Sequence, residues 1–225
     1  MIIACDTSSV ICSVAVSDQG SIVFEREATG GQIHIEKLSP FLEEAISFCE
    51  SAKNPATGLA IAIGPGSFNG LRIGLATMKA LAVVLELPLI PVFTTDALAY
   101  GIRQDVSGLS RAVVFSHRNF VHYANYDFDG GDRIHSPEFN YGPWEQLYDP
   151  EVKHYFGTAD RGFADWLQTE AGNPVKNNFR NVHASATNVA LLAESKRGEA
   201  TLDLDELEPF YNAQFEAKKW VAPKF

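Results

Sequence analysis

The chain has 225 residues, of which 46% are hydrophobic and 20% charged, and its formal net charge is −10. This length suits one large domain or two small lobes with a true core. The acidic balance argues against a large nucleic-acid-binding surface, because phosphate contacts need clustered basic residues. The 18 lysines and arginines are scattered, apart from Lys218, Lys219 and Lys224. An RNA substrate would therefore have to be held by another protein.

The first hundred residues alternate short apolar runs with helical spacings of three and four. This pattern predicts a β-β-β-α-β-α unit followed by a further strand and helix, which means a mixed sheet covered by helices. The predicted elements are strands at 2–7, 10–17 and 21–27, a helix at 34–52, a strand at 58–64, a helix at 70–86, a strand at 89–92 and a helix capped by Thr94 or Thr95.

A similar pattern begins again after residue 110. The repetition predicts a two-lobed α/β protein, with a first lobe at 1–105 and a smaller second lobe at 106–225. The tail from 199 onward has poor periodicity and is predicted to be mostly irregular. The predicted elements of the second half are a hairpin at 111–128, a weak element at 143–148, a strand at 152–157, a helix at 161–171, a strand at 178–184 and a helix from the cap Ser185 to Gly198.

The most patterned stretch is IGPGSFNGLRIGLATMKALA, residues 63–82. It matches neither the P-loop, because Leu71 follows Gly70 and no lysine is present, nor the dinucleotide fingerprint, because Gly70 comes one position late. A strand, a tight turn and a helix start still present free N–H groups to an anion. Ser67 or Asn69 could instead cap the helix. Capping, anion binding and a partner-facing turn all stay open.

The helices predicted at 34–52 and 70–86 are apolar over more than one face, which predicts burial on more than one side. They could simply cover each other. Alternatively a partner covers them in an intermolecular helix bundle, with Gly70 and Gly74 allowing close approach. The candidate partner-binding residues are Ile35, Leu38, Leu42, Ala45, Leu71, Gly74, Leu75 and Met78.

Asp6 ends the first strand beside a hydroxyl-rich turn, where it could position Mg²⁺ or a phosphate. The alternative is a turn organised by Asp and Ser side chains within the hairpin. If an anion or nucleotide does bind, the candidate residues are Asp6, Thr7, Gly64, Gly66, Ser67 and Gly70.

Other kinds of site find little support. The six histidines form no H-x-x-x-H pair, so no metal site is predicted. Cys5, Cys12 and Cys49 lie among apolar neighbours and indicate buried thiols in a reducing compartment. The start, MIIACDTSS, does not look like a signal peptide, and no apolar run reaches the ~20 residues of a membrane span. We expect a cytoplasmic protein without a membrane contact.

Four stretches resemble one known family: ACDTSSVICSVAV, HIEKLSPFLEEAI, the run from LAIAIGPG to TTDALA, and the later ATNVALLAESKRG with LEPFYNAQF. They are similar to the TsaB (YeaZ) family. The first 100 residues match densely, and the G-P-G-S-F-x-G-L-R-I-G-L run is specific to this family and its TsaD relatives.

The resemblance implies an actin/Hsp70-like (ASKHA) two-lobed fold and a role in making N6-threonylcarbamoyladenosine (t6A) at position 37 of tRNA. In that family the catalyst is the metal-holding paralogue TsaD, while TsaB is a non-catalytic dimerisation partner that uses the two first-lobe helices. A TsaE-like ATPase is a further implied partner, and tRNA is contacted indirectly. The chain alone is expected to form a homodimer and to need no cofactor. ATP or ADP with Mg²⁺ stays open at the complex interface.

The sequence departs from the family pattern at two places. Asn69 stands where the family usually has Thr, and the second-lobe strand FSHRNFVHY keeps Arg118 but lacks the usual acidic positions. The glycines are therefore interpreted chiefly as shaping a docking helix, with anion capture secondary. The alternative function is a stand-alone small ATP-dependent phosphotransferase or ATPase of the same fold, using Asp6 and the glycine loop, residues 64–70.

Overall fold

The structure, a computed structural model, describes residues 1–130, 138–158, 161–169 and 174–211. Its strands are β1 (Ile2–Asp6), β2 (Ile11–Asp18), β3 (Ser21–Thr29), β4 (Gly58–Gly64), β5 (Leu89–Phe93), β6 (Leu109–His117), β7 (Phe120–Asp127), β8 (Phe139–Pro143), β9 (His154–Thr158) and β10 (Phe179–Asn181). Its α-helices are α1 (Ile33–Ser51), α2 (Phe68–Leu85), α3 (Thr94–Ile102), α4 (Arg161–Thr169) and α5 (Ala186–Ser195).

The two five-stranded sheets have the same topology. Their strand orders are β3-β2-β1-β4-β5 and β8-β7-β6-β9-β10. In each sheet the first strand is central, antiparallel to the second and parallel to the fourth. The predicted duplication and the β-β-β-α-β-α order of the first unit are confirmed. In the second unit a single 3₁₀ turn, Trp144–Gln146, stands where the first unit has α1, so the connection between the third and fourth strands is shorter in the second unit.

The elements stack in layers because each sheet buries both faces. Helices α1 and α2 cover the outer face of the first sheet, whose residues and theirs form one apolar cluster. Helix α3 lies between the sheets, and α5 packs beside it on the inner face of the first sheet. On the far side, α4 covers the second sheet with Phe163 and Leu167. The surface of α1 and α2 that faces away from the sheet is therefore an outer surface of the protein.

Helix α5 and the segment after it return to the first lobe. Strands β1 to β5 form the first sheet and β6 to β10 the second, so the chain passes from one sheet to the other near the predicted lobe boundary at 105. Helix α5 nevertheless packs on β1 and β2, and Thr201 pairs with Leu89 of β5. Of the predicted second lobe, 106–225, the part from α5 to residue 211 thus belongs by its packing to the first sheet.

Local sequence patterns predicted most of the observed strands and helices correctly. The Ser185 cap is confirmed, since its hydroxyl accepts a hydrogen bond from the Thr187 N–H at 3.2 Å. The weak element at 143–148 is the 3₁₀ turn, while strand β8 was not anticipated. Part of the predicted helix at 161–171 and the end of the tail, 212–225, lie outside the described residues.

Candidate functional site

Two glycines let α2 pack directly on the turn that follows β1. A Cβ on Gly70 would collide with the carbonyl oxygen of Thr7, and a Cβ on Gly74 would collide with the Thr7 hydroxyl. Across this contact Thr7 Oγ1 donates a hydrogen bond to the Gly70 carbonyl at 2.8 Å. The close approach that these two glycines permit is therefore to Thr7 of the same chain rather than to a second subunit.

Two N–H donors at the start of α2, those of Ser67 and Gly70, are already used within the chain. Ser67 Oγ accepts from the Gly70 N–H at 3.3 Å and so caps the helix. The Ser67 N–H donates to the Ser8 carbonyl at 2.7 Å, a contact that Gly66 permits because a Cβ there would overlap Ser8. This is the capping arrangement. Anion binding by the glycine loop stays a prediction, and it would have to use other donors.

The chain's own C-terminal segment covers the beginning of the loop. The Phe210 N–H donates to the Ile63 carbonyl at 2.7 Å, at the end of β4. Gly64 has a φ of 119°, and a Cβ on it would collide with the Phe210 carbonyl oxygen. Glycine is required here both by the positive φ and by the passing backbone.

Asp6 is fully buried and organises the β1–β2 turn. Its Oδ1 accepts from the Ser8 N–H at 2.8 Å and from the Ser8 hydroxyl at 2.7 Å. Its Oδ2 has no hydrogen-bond partner among the residues that the structure describes. Burial raises the pKa of Asp6, against the opposing effects of the Ser8 hydrogen bonds and nearby His34. The geometry matches the turn interpretation, and a role in holding Mg²⁺ or phosphate remains untested.

Most of the candidate partner-binding residues face the sheet. Seven of the eight are buried in the first-lobe core, and only Ile35 is exposed, at 69%. Their direct contact with a partner remains a prediction. The buried residues are Leu38, Leu42 and Ala45 of α1 and Leu71, Gly74, Leu75 and Met78 of α2.

The opposite side of α2 is apolar as well and faces solvent. We call Ala76, Ala80, Val83 and Val84 the α2 outer face; all four are exposed, with Val83 at 68% and Val84 at 77%. By length and composition alone α2 could cross a bilayer, but its other side forms the core against the first sheet. An exposed apolar strip on a helix is typical of a protein interface.

Helix α1, beside α2, presents a different chemistry. Its exposed carboxylates are Glu36, Glu43, Glu44 and Glu50. Glu44 pairs with Arg26 of β3 at 2.7 Å, while α2 itself carries only Arg72 and Lys79 as charged residues. The two helices together thus form an apolar strip with an acidic flank.

The thiols and imidazoles form no reactive site in the described ranges. Burial raises the pKa of all three cysteines, that of Cys12 to about 11, so none is a thiolate at neutral pH. Across the same ranges no three His, Cys, Asp or Glu side chains come together as a metal site. Burial lowers the pKa of His122 to about 4, and the centroid of this ring lies 4.9 Å from that of the Tyr141 ring, with the two planes tilted by 37°. Its role is packing in the neutral form.

Sequence reasoning missed two features of this region. The α2 outer face repeats at helical spacing (76, 80, 83, 84), but the buried stripe is equally apolar, so the pattern alone could not tell which one meets the sheet. The second feature is a buried network of residues far apart in sequence. In it the Tyr126 hydroxyl donates to Asp96 at 2.8 Å, and Lys196 Nζ lies 3.6 Å from the same carboxylate. No local signal points to it.

The fold is that of a two-lobed α/β protein of the actin/Hsp70-like (ASKHA) class. Its two sheets share one topology, α3 lies between them with α5 beside it, and the glycine loop packs on the β1–β2 hairpin. The family model for TsaD, tRNA N6-adenosine threonylcarbamoyltransferase, matches residues 25–136. The YeaZ structure from Pseudomonas aeruginosa superposes with a TM-score of 0.75 at 22% identity, covering 93% of this chain and 98% of that one.

Curated relatives give the narrower assignment. The tRNA threonylcarbamoyladenosine biosynthesis protein TsaB of Escherichia coli K12 is 29% identical over 154 residues, 68% of this chain and 64% of its own length. The protein of the same name from Haemophilus influenzae is 33% identical over 98 residues, 44% of this chain and 41% of its own. The alignments thus span less than two thirds of these relatives. Together these similarities support the assignment of the chain to the TsaB (YeaZ) family.

Proposed function

We propose that this chain is a non-catalytic subunit of the machinery that makes t6A in tRNA, and that it binds a TsaD-like catalytic subunit through α1 and the α2 outer face. The observation that carries the proposal is the exposed apolar strip of Ala76, Ala80, Val83 and Val84 on a helix whose other side already fills the core. A partner that covers this strip removes its apolar surface from water, and each Å² of apolar surface buried favours binding by about 25 cal/mol.

The charges around the strip indicate which residue types a complementary partner surface carries. With acidic side chains on α1 and the apolar strip on α2, a complementary partner offers apolar residues opposite α2 and basic residues opposite α1. The net charge of −10 also fits a subunit that leaves tRNA contacts to its partner. The relatives called TsaB are named for tRNA threonylcarbamoyladenosine biosynthesis, and the TsaD family model is named for the threonylcarbamoyltransferase.

Of the remaining parts of the proposal, only the homodimer follows from the same surface; the others rest on the resemblance to the TsaB (YeaZ) family. In the absence of a partner, the α2 outer face pairs with a second copy of the chain, giving a homodimer that the TsaD-like subunit displaces. A TsaE-like ATPase and ATP or ADP with Mg²⁺ act at the assembled junction rather than on this chain alone. The protein works in the cytoplasm, where tRNA is modified.

The test is reconstitution of t6A formation with and without this chain. Purified TsaD-like and TsaE-like subunits from the same organism are incubated with tRNA, ATP and the threonylcarbamoyl donor, and t6A is measured by mass spectrometry of the nucleosides. We expect modification only when this chain is added. Modification that proceeds equally well without it contradicts the proposal.

A paired substitution separates docking from folding. Ala80→Arg places a charged side chain on the exposed strip and should abolish t6A formation while leaving the fold intact. The control, Leu202→Arg, replaces an exposed apolar residue (73% exposed) of the C-terminal segment, outside α2. Equal t6A formation with both variants would contradict the assignment of the α2 outer face as the docking surface. Substitutions at Gly74 or Leu75 are unsuitable, because both residues are buried.

A further inference from the structure

The C-terminal segment 201–211, here called the strap, runs along the edge of the first sheet. At its start Thr201 exchanges two backbone hydrogen bonds with Leu89 of β5, at 2.9 and 3.0 Å. At its end the Phe210 N–H donates to Ile63 of β4 at 2.7 Å. Between them Leu204 and Leu207 pack against the apolar core beneath α1 and α2. The strap therefore follows β5 from its beginning to the glycine loop.

Phe210 ties the two lobes together. Its ring lies 5.1 Å from that of Phe93, the last residue of β5, and 4.6 Å from that of Phe139, the first residue of β8 in the second sheet. Phe93 and Phe139 are themselves 4.7 Å apart. Each such aromatic pair contributes about 1 kcal/mol beyond burial, so this three-ring cluster is a substantial contact between the lobes.

Tyr211, the next residue, lies on the first turn of α2. Its ring is 4.9 Å from that of Phe68, and its hydroxyl accepts a hydrogen bond from Arg72 Nε at 2.9 Å. The Arg72 guanidinium also stacks over the Phe68 ring at 4.0 Å. Phe68 and Arg72 are both exposed; Phe68 lies about two turns and Arg72 about one turn N-terminal to the α2 outer face.

We infer that the strap couples the N-terminal end of α2 to the junction of the lobes. Consecutive Cα atoms are about 3.8 Å apart, so a backbone displacement that carries Tyr211 away from Arg72 and Phe68 also pulls on Phe210 between Phe93 and Phe139. A ligand that engages Arg72 and Phe68 therefore changes how firmly β8 is held. That this ligand is the TsaD-like subunit rests on the proposed function; the coupling within the chain does not.

The test is hydrogen–deuterium exchange, read by mass spectrometry, on the full chain without any partner. Arg72→Ala should speed exchange in the β8 peptide at least about threefold, although Arg72 lies on α2, because exchange quickens when the free energy that keeps a segment closed falls. Tyr211→Phe, which removes the acceptor, should do the same, and the double variant should add little. Lys79→Ala, at the other cation of α2, is the control and should leave β8 unchanged.

The result that overturns the inference is faster exchange confined to α2 in Arg72→Ala, with β8 as in the unchanged chain. Phe210→Ala should speed β8 exchange most, and no effect of it on β8 also overturns the inference. If Phe210→Ala fails to fold, Arg72→Ala and Tyr211→Phe still decide the matter, since unchanged exchange in β1 verifies the fold. Because no partner is present, the outcome is independent of the docking experiments.

Discussion

The hydroxyl of Thr7 lies against Gly74 and donates a hydrogen bond to the carbonyl of Gly70, with 2.8 Å between the two oxygen atoms. One side chain after β1 thus fixes both the position and the rotation of α2. The rotation decides which apolar stripe of the helix is buried and which is exposed, so the proposed docking surface depends on this contact inside the first lobe.

Gly74→Ala should destabilise the protein by overpacking. Its Cβ would collide with the Thr7 hydroxyl, and such overpacking typically costs about 2 kcal/mol. Urea denaturation measures the loss, and Thr7→Ala in the same chain should restore part of it by removing the hydroxyl. Gly198→Ala is the control, because a Cβ there meets nothing within 4 Å. Equal stability of the two glycine variants would contradict this packing of α2.

Tyr126→Phe should weaken the junction between the lobes. The Tyr126 hydroxyl donates at 2.8 Å to the buried Asp96 carboxylate, and a hydrogen bond to a charged group is worth about 2 kcal/mol. The free energy of unfolding should fall by that amount. Tyr148→Phe, at a ring that is more than half exposed, should have no effect. A loss shared by both variants would show that the hydroxyl at position 126 is not what matters.

His122 should make the protein sensitive to mild acid. Burial lowers its pKa from 6.5 to about 4, so between these values the unfolded chain binds a proton that the folded protein does not. Its contribution to stability is present above pH 6.5 and is lost as the pH falls, by about 2 kcal/mol between pH 7 and pH 5.

The check on this pH dependence uses His122→Phe, which keeps a ring beside Tyr141. Urea denaturation of both proteins at pH 7 and pH 5 separates this group from all others, because their titrations cancel in the comparison. The variant should lose about 2 kcal/mol less over this interval. An identical pH dependence in the two proteins would mean that His122 is not protonated on unfolding.

Local sequence pattern was enough for the first lobe, where each strand and helix carries its own periodicity. It was not enough for β8, whose sequence FNYGP contains Gly142 and Pro143. Both residues disfavour strands, and β8 forms at a sheet edge because β7 pairs with it. In this strand, tertiary pairing outweighs local preference.

In the candidate site, too, some features follow from local sequence pattern and others depend on contacts between distant residues. Apolar residues all round α2 correctly indicated that one chain has more apolar helix surface than its sheet can cover. The side that remains exposed depends on Thr7 and the two glycines, a contact between residues about 65 positions apart in the sequence. The strap and its Phe210 cluster are likewise non-local, so the irregular pattern of the tail gave no sign of them.

The central claim is that the α2 outer face binds a TsaD-like subunit. Its most direct test is the dissociation constant for that subunit, measured by calorimetry for the unchanged chain, Val84→Glu and Leu202→Glu, two exposed apolar positions of similar accessibility. We expect at least about a hundredfold weaker binding for Val84→Glu, as for a residue central to an interface, and unchanged binding for Leu202→Glu. Equal affinity of all three proteins would contradict the claim.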